Sequence, residues 1–103
     1  MAVMTKITAK KLLADVPDDK RFWVSDGETV KNLAELEMAL KQMSDETYSY
    51  HYNEEKCDFS MWVRDVIGDD ELASNLENAT TRAKAARYVG NRLTQLKNQM
   101  SMR

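Results

Sequence analysis

The chain is poor in residues that bend, cross-link or coordinate. Its 103 residues include one proline, three glycines, one cysteine and one histidine. So few turn-formers argue against a loop-rich sandwich and for long regular elements. A lone cysteine, Cys57, closes no internal disulfide, which agrees with a reducing compartment. One histidine and one cysteine cannot build a four-ligand structural zinc site unless carboxylates complete it. Gly27, Gly68 and Gly90 lie too far apart to form a phosphate-cradling loop. No apolar run approaches the roughly 20 residues of a membrane span. The N-terminal residues offer no apolar core of signal-peptide length, so the expected location is the cytoplasm. No cofactor and no metal is expected.

Apolar residues make up 43% of the chain and charged residues 31%, the balance of a folded rather than a disordered domain. The length suits one domain over residues 1–103, with flexible ends at about 1–5 and 100–103. Charge is segregated. Residues 1–14 carry three lysines and no acid; residues 15–71 carry 16 acids against six bases; residues 72–103 carry six bases against Glu77 alone. That pattern predicts an acidic body complemented by a basic C-terminal helix, within one chain or between copies.

Apolar residues at Ile7, Ala9, Leu12, Leu13 and Val16 predict a short amphipathic helix over 5–16, ended by Pro17. Residues 21–31 read as a β-hairpin, with Phe22-Trp23-Val24 as one strand, Asp26-Gly27 as the turn and Thr29-Val30 as the return. A two-stranded hairpin is marginal alone, so Trp23 is expected to anchor it in the core. Asn32-Leu33-Ala34-Glu35 resembles a capping box, and Leu33, Leu36, Leu40 and Met43 form one stripe of the helix that follows. Ser44 can cap a short helix over 45–52, although Tyr48–Tyr52 would also suit a strand. Asp58 is expected to cap a helix over 59–67 with Phe59, Trp62, Val63, Val66 and Ile67 buried, and Gly68 to stop it. Asp69 then caps a final helix from Asp70 to about Gln99, with a break near Asn78–Thr81 as an option. Small residues Ala79, Ala83, Ala86 and Gly90 line the middle of its stripe and make a candidate face for a second copy.

The order of these pieces resembles a known pattern. Phe22-Trp23-Val24 with the Asp26-Gly27 turn, Asn32-Leu33 with Glu35-Leu36, Met43-Ser44-Asp45, His51, Asp58-Phe59 with Trp62, Gly68-Asp69 and Leu72-Ala73 resemble a family of small domains of unknown function. That family is frequent in archaea, has bacterial members and is sometimes fused to larger proteins. The resemblance covers about residues 12–77. It implies a stand-alone cytosolic domain and carries no catalytic role to any residue.

Three side-chain groups could carry chemistry. His51, Cys57 and Asp58 are the candidates for a nucleophile with its base; the alternative is a histidine bonded to a helix end, a capping aspartate and an incidental thiol. Trp23, His51, Asp58 and Trp62 are the candidate ligand pocket, with an ordinary aromatic core as the other reading. Asp65, Asp69, Asp70 and Glu71 do not match a calcium loop and suit helix N-terminal charge.

The pattern predicts a mainly helical domain with one short β-hairpin and a long C-terminal helix. The expected role is a non-catalytic protein-interaction or regulatory module, its partner another protein or a second copy. The runner-up is a small-molecule-binding domain or minor enzyme around His51, Asp58 and Trp62. A nucleic-acid-associated protein using the basic helix comes third, because no reading module accompanies those bases.

Overall fold

A computed structural model describes residues 5–101. Of the expected flexible ends, 1–5 and 100–103, residues 1–4 and 102–103 lie outside the described residues, Thr5 caps α1, and Met100 and Ser101 belong to α6. The fold is mainly α-helical: α1 (Lys6–Leu13), a hairpin of β1 (Phe22–Trp23) and β2 (Thr29–Val30), then α2 (Leu33–Gln42), α3 (Asp45–His51), α4 (Asp58–Trp62), α5 (Asp70–Glu77) and α6 (Arg82–Ser101). No helix among the described residues is long and apolar enough to cross a membrane.

Helix starts follow the capping residues. Thr5, Asn32, Ser44 and Asp69 each accept a backbone N–H from the third residue beyond, respectively those of Thr8, Glu35, Thr47 and Leu72. Glu35 Oε1 completes its box by accepting the Lys31 N–H rather than that of Asn32. Gly68 closes the fourth helical segment with φ 91°, a left-handed conformation that suits glycine. The expected single helix over 59–67 is α4 followed by one turn of π-helix over Val63–Ile67. That wider turn leaves Val66 and Ile67 only partly buried, while Phe59, Trp62 and Val63 are buried.

The hairpin is antiparallel, with Phe22 opposite Val30 and Trp23 opposite Thr29. Here the expected core anchor is corrected. Trp23 is 69% exposed, while Phe22 and Val24 are buried. Side chains alternate across a strand, so a ribbon covered on one face buries either Trp23 or its two neighbours. The pair wins. Ile7 is likewise exposed, and α1 instead buries Ala9 and Leu12.

Leu33, Leu36, Leu40 and Met43 of α2 are all buried, as their spacing predicts. Each buried leucine is worth roughly 1.5–3 kcal/mol against exposure. They face α6, which presents Ala85, Ala86, Val89, Leu93 and Leu96. α6 continues to Ser101, past the expected end at Gln99. The optional break is present: α5 ends at Glu77 and α6 begins at Arg82.

One ion pair lies inside. Asp69 Oδ1 and Oδ2 accept Arg92 Nη2 and Nε at 3.0 and 2.7 Å, and Glu71 accepts Arg92 Nη1 at 2.6 Å. The Asp69 side chain is 1% exposed and that of Arg92 10%. The same Asp69 Oδ1 caps α5, so one carboxylate starts α5 and fixes α6 against it. Removing one partner strands the other in the interior. Arg92→Met should therefore lower unfolding free energy by about 3 kcal/mol in urea titrations. Adding Asp69→Asn, which keeps a capping oxygen, should recover part of that loss rather than add to it.

Candidate functional site

Of the aromatic residues from the hairpin to α4, Phe22, Tyr48, Tyr52, Phe59 and Trp62 cluster, while Trp23 and Tyr50 are exposed. Phe22 lies 5.1 Å from His51, 5.3 Å from Phe59 and 5.9 Å from Trp62, centroid to centroid. Tyr48 stacks between Tyr52 and Phe59, at 5.6 and 5.4 Å. Trp62 is buried and its Nε1–H donates to the Lys20 carbonyl at 2.8 Å. Its polar atom is thus satisfied by the segment entering the hairpin.

His51 closes α3 and is 4% exposed. Its Nε2 accepts the Ser25 backbone N–H at 3.0 Å, and its Nδ1 lies 2.9 Å from Asp58 Oδ2. The two contacts fix the tautomer. Nε2 must carry the lone pair, so Nδ1 carries the proton and donates to Asp58. Asp58 Oδ2 also accepts Lys56 Nζ at 3.0 Å. The expected N-cap role for Asp58 is corrected: Cys57 holds the cap position and Asp58 is the first helical residue. The carboxylate turns to His51 and Lys56 because these offer charge-assisted partners across the chain.

Cys57 does not meet His51, whose ring nitrogens are both engaged elsewhere. The thiol donates to the Leu76 carbonyl at 3.7 Å. Burial raises the thiol pKa, and the Glu77 and Asp58 carboxylates push it further in the same direction. A thiol held protonated is a poor nucleophile. The nucleophile–base pair is therefore not assembled.

Sequence reasoning missed where the tyrosine hydroxyls go. Tyr48 donates to the Ala79 carbonyl and Tyr52 to the Glu77 carbonyl. With Cys57 they cover three carbonyls where α5 ends. Burial pushes the Tyr48 phenol up, with Cys57 and Tyr52 adding, so it stays a donor. The tyrosines at 48 and 52 share one helical face by their four-residue spacing, the one signal that could have paired them.

Two of the four carboxylates near Gly68 are engaged within the chain. Asp69 and Glu71 pair with Arg92. Among the described residues, no three His, Cys, Asp or Glu side chains converge on a metal-sized space. Two open concavities lie elsewhere. One, of about 570 Å³, runs between α2 and α6 past Glu37, Lys41, Arg82, Ala83 and Arg87. The other, of about 790 Å³, lies beside Tyr52, Glu55, Cys57, Met61 and Glu77. Neither is lined by Trp23, His51, Asp58 or Trp62.

The small-residue face is divided. Ala79 and Ala86 are buried within the chain and Ala83 is exposed. Gly90 sits under the Glu37 carboxylate of α2, where a Cβ would collide with Glu37 Oε2. That atom is the far end of a flexible side chain, so a methyl group at 90 asks only Glu37 to swing aside. The basic helix is partly used inside as well. Arg82 Nη1 donates to the Leu40 and Lys41 carbonyls that end α2, and its Nε to Asp45. No family model, no curated protein and no solved structure matches the chain.

Two measurements check this geometry. Cys57 should react with iodoacetamide at pH 7.5 at least about tenfold more slowly than a free cysteine, with urea restoring the ordinary rate. Glu77 accepts from Arg64 Nη2 at 2.6 Å and from Ser60 Oγ at 3.2 Å, which together hold its carboxyl below the usual range. A depressed carboxylate contributes stability above the ordinary glutamate value of about 4.3 and loses it as pH falls through the folded value. The stability gap between wild type and Glu77→Gln should accordingly be flat above about pH 5 and shrink below it.

Proposed function

We propose that the chain is a non-catalytic protein-interaction module that contacts its partner through the outer face of the hairpin. The observation that carries this reading is a division among the aromatic residues. Phe22, Tyr48, His51, Phe59 and Trp62 are buried, and the polar atoms of Tyr48, His51 and Trp62 are bonded within the chain. Trp23 stands outside them, with 69% of its surface in water. Tryptophan leads the residues that anchor protein–protein contacts, because one side chain supplies a large rigid area at low entropic cost.

A small-molecule or catalytic role around His51, Asp58 and Trp62 is less favoured, since a ligand there must break bonds that hold the hairpin to α3 and α4. A nucleic-acid role is less favoured because Arg82 and Arg92 are occupied by acids and carbonyls of the same chain. The resemblance to small domains without an assigned activity accords with an interaction role. A homodimer is one form of it, with Trp23 a better anchor than the Ala79–Gly90 stripe, whose Ala79 and Ala86 are already buried within the chain.

The test places a photo-crosslinking amino acid at position 23 of the full chain. An adduct of defined mass, either twice the chain or chain plus one other protein, is expected to form. Added wild-type protein should suppress it, and Trp23→Ser protein should not. No competed adduct, together with thermal stabilisation by a metabolite that His51→Gln abolishes, would move the function to the small-molecule reading.

A further inference from the structure

The His51 ring does more than fill space, because its two nitrogens hold different things. Nδ1–H holds Asp58, on α4; Nε2 holds the Ser25 N–H, on the hairpin turn, 26 residues away in sequence. The turn's other hydrogen bonds are internal: Gly27 N–H to Val24, Val24 N–H to Glu28 and Glu28 N–H to Asp26 Oδ1. Among the described residues, the Ser25–His51 bond is the one hydrogen bond joining residues 24–28 to a helix. The base of the hairpin is tied separately, by Val16 N–H to the Lys31 carbonyl and by Trp62 to the Lys20 carbonyl.

We propose that His51 is a pH-operated latch: a second proton on its ring releases the hairpin turn from α3 while the base of the hairpin and the helices stay in place. Imidazolium has an N–H on both nitrogens and no acceptor. Nε2–H would then face the Ser25 N–H, donor against donor, and the backbone N–H must turn to water. The Asp58 side is unaffected, because Nδ1 donates to the carboxylate in both states. The charged and titratable groups on the ring or its carboxylate partner are Asp58 on α4, Lys56 in the loop before it and Tyr50 on α3; Asp26 and Glu28 lie in the turn that carries Ser25. Phe22 and Phe59 also pack against the ring and do not titrate. A hairpin of two residues per strand is marginal alone; beyond the buried Val24 at its start, the turn depends on the His51 bond. Histidine is the side chain whose ring nitrogens can change from acceptor to donor by taking up one proton, and the Ser25 N–H rests on that one acceptor. The latch stands whether or not Trp23 has a partner.

The experiment is a nitrogen-15 NMR titration of the full chain from pH 8 to 5, reading the ring nitrogens and backbone amide exchange together. At pH 8 the His51 Nε2 signal should be that of an unprotonated nitrogen. As the ring gains its proton, Ser25 exchange, corrected for its intrinsic pH dependence, should rise roughly tenfold. The Trp23–Glu28 amides should shift with the same midpoint and those of α6 should not move. His51→Gln keeps an oxygen for the Ser25 N–H without a titrating group, so its turn should be indifferent to pH; if that variant does not fold, the wild-type titration decides alone. A protonated ring with Ser25 still protected would overturn the latch. So would a ring that stays neutral to pH 5, a turn that loosens at another midpoint, the same pH response in a folded His51→Gln, or unfolding of the whole chain in one step.

Discussion

A helix that stops inside a protein leaves its last carbonyls without partners, and the break between α5 and α6 is such a place. The carbonyls of Leu76, Glu77 and Ala79 fall there; that of Leu76 keeps a backbone partner, the Ala79 N–H at 3.1 Å. Left unbonded and out of water, the buried Ala79 carbonyl would cost about 1–3 kcal/mol. The chain answers with donors from a distant stretch: the Cys57 thiol, the Tyr52 hydroxyl and the Tyr48 hydroxyl. This requirement accounts for why tyrosines crowd into α3. Tyr48 stacks on Phe59 and Tyr52 on Tyr48, and the tips of these two reach the break, so one residue type fills the core and satisfies a polar edge. Ser60 adds a fourth donor, to the Ala73 carbonyl within α5. The docking of α3 and α4 on α5 is thus a matter of direction as well as area, since apolar burial alone would not choose the register.

The same division of labour holds for charge. Asp69 and Arg92 are buried together, and a well-packed apolar pair of similar volume would often be as stable. What the carboxylate does in addition is cap α5. An apolar residue at 69 would leave the Leu72 N–H open, so capping and ion pairing are one constraint that α6 must meet from 23 residues away. Arg82 repeats the device at lower burial, closing the end of α2 while pairing with Asp45 at the start of α3. The basic helix and the acidic body do complement each other, at these two arginines and within one chain.

How much of this was legible in the sequence depends on the range of the interaction. Local signals could be read. Asp26-Gly27 gave the turn, Asn32 and Ser44 the caps, Gly68 the stop, and the leucines of α2 their face, because each rests on residues within a turn or two. Long-range choices could not. Phe22-Trp23-Val24 suits a strand with either face inward, and only the helices beneath decide that Trp23 points out. Asp58 has the chemistry of a cap, but His51 and Lys56 compete for its oxygens and win. A stripe drawn from Ala79 to Ala83 crosses the interruption at 78–81, and Ala83 falls in the exposed first turn of α6.

The reading of His51 rests on the same distinction. As a sequence feature, one histidine between tyrosines and near a cysteine invites a catalytic interpretation. In the fold, a general base needs a free lone pair within reach of a substrate proton. The lone pair of this ring already holds a backbone N–H, and the ring is shut away from solvent. The carboxylate that would orient a catalytic imidazole is present, with the geometry such a pair requires. Its partner on the far nitrogen is the chain itself. An aspartate–histidine pair is therefore not a sign of catalysis until the third contact is known; here that contact is the Ser25 amide, and what the pair positions is a hairpin.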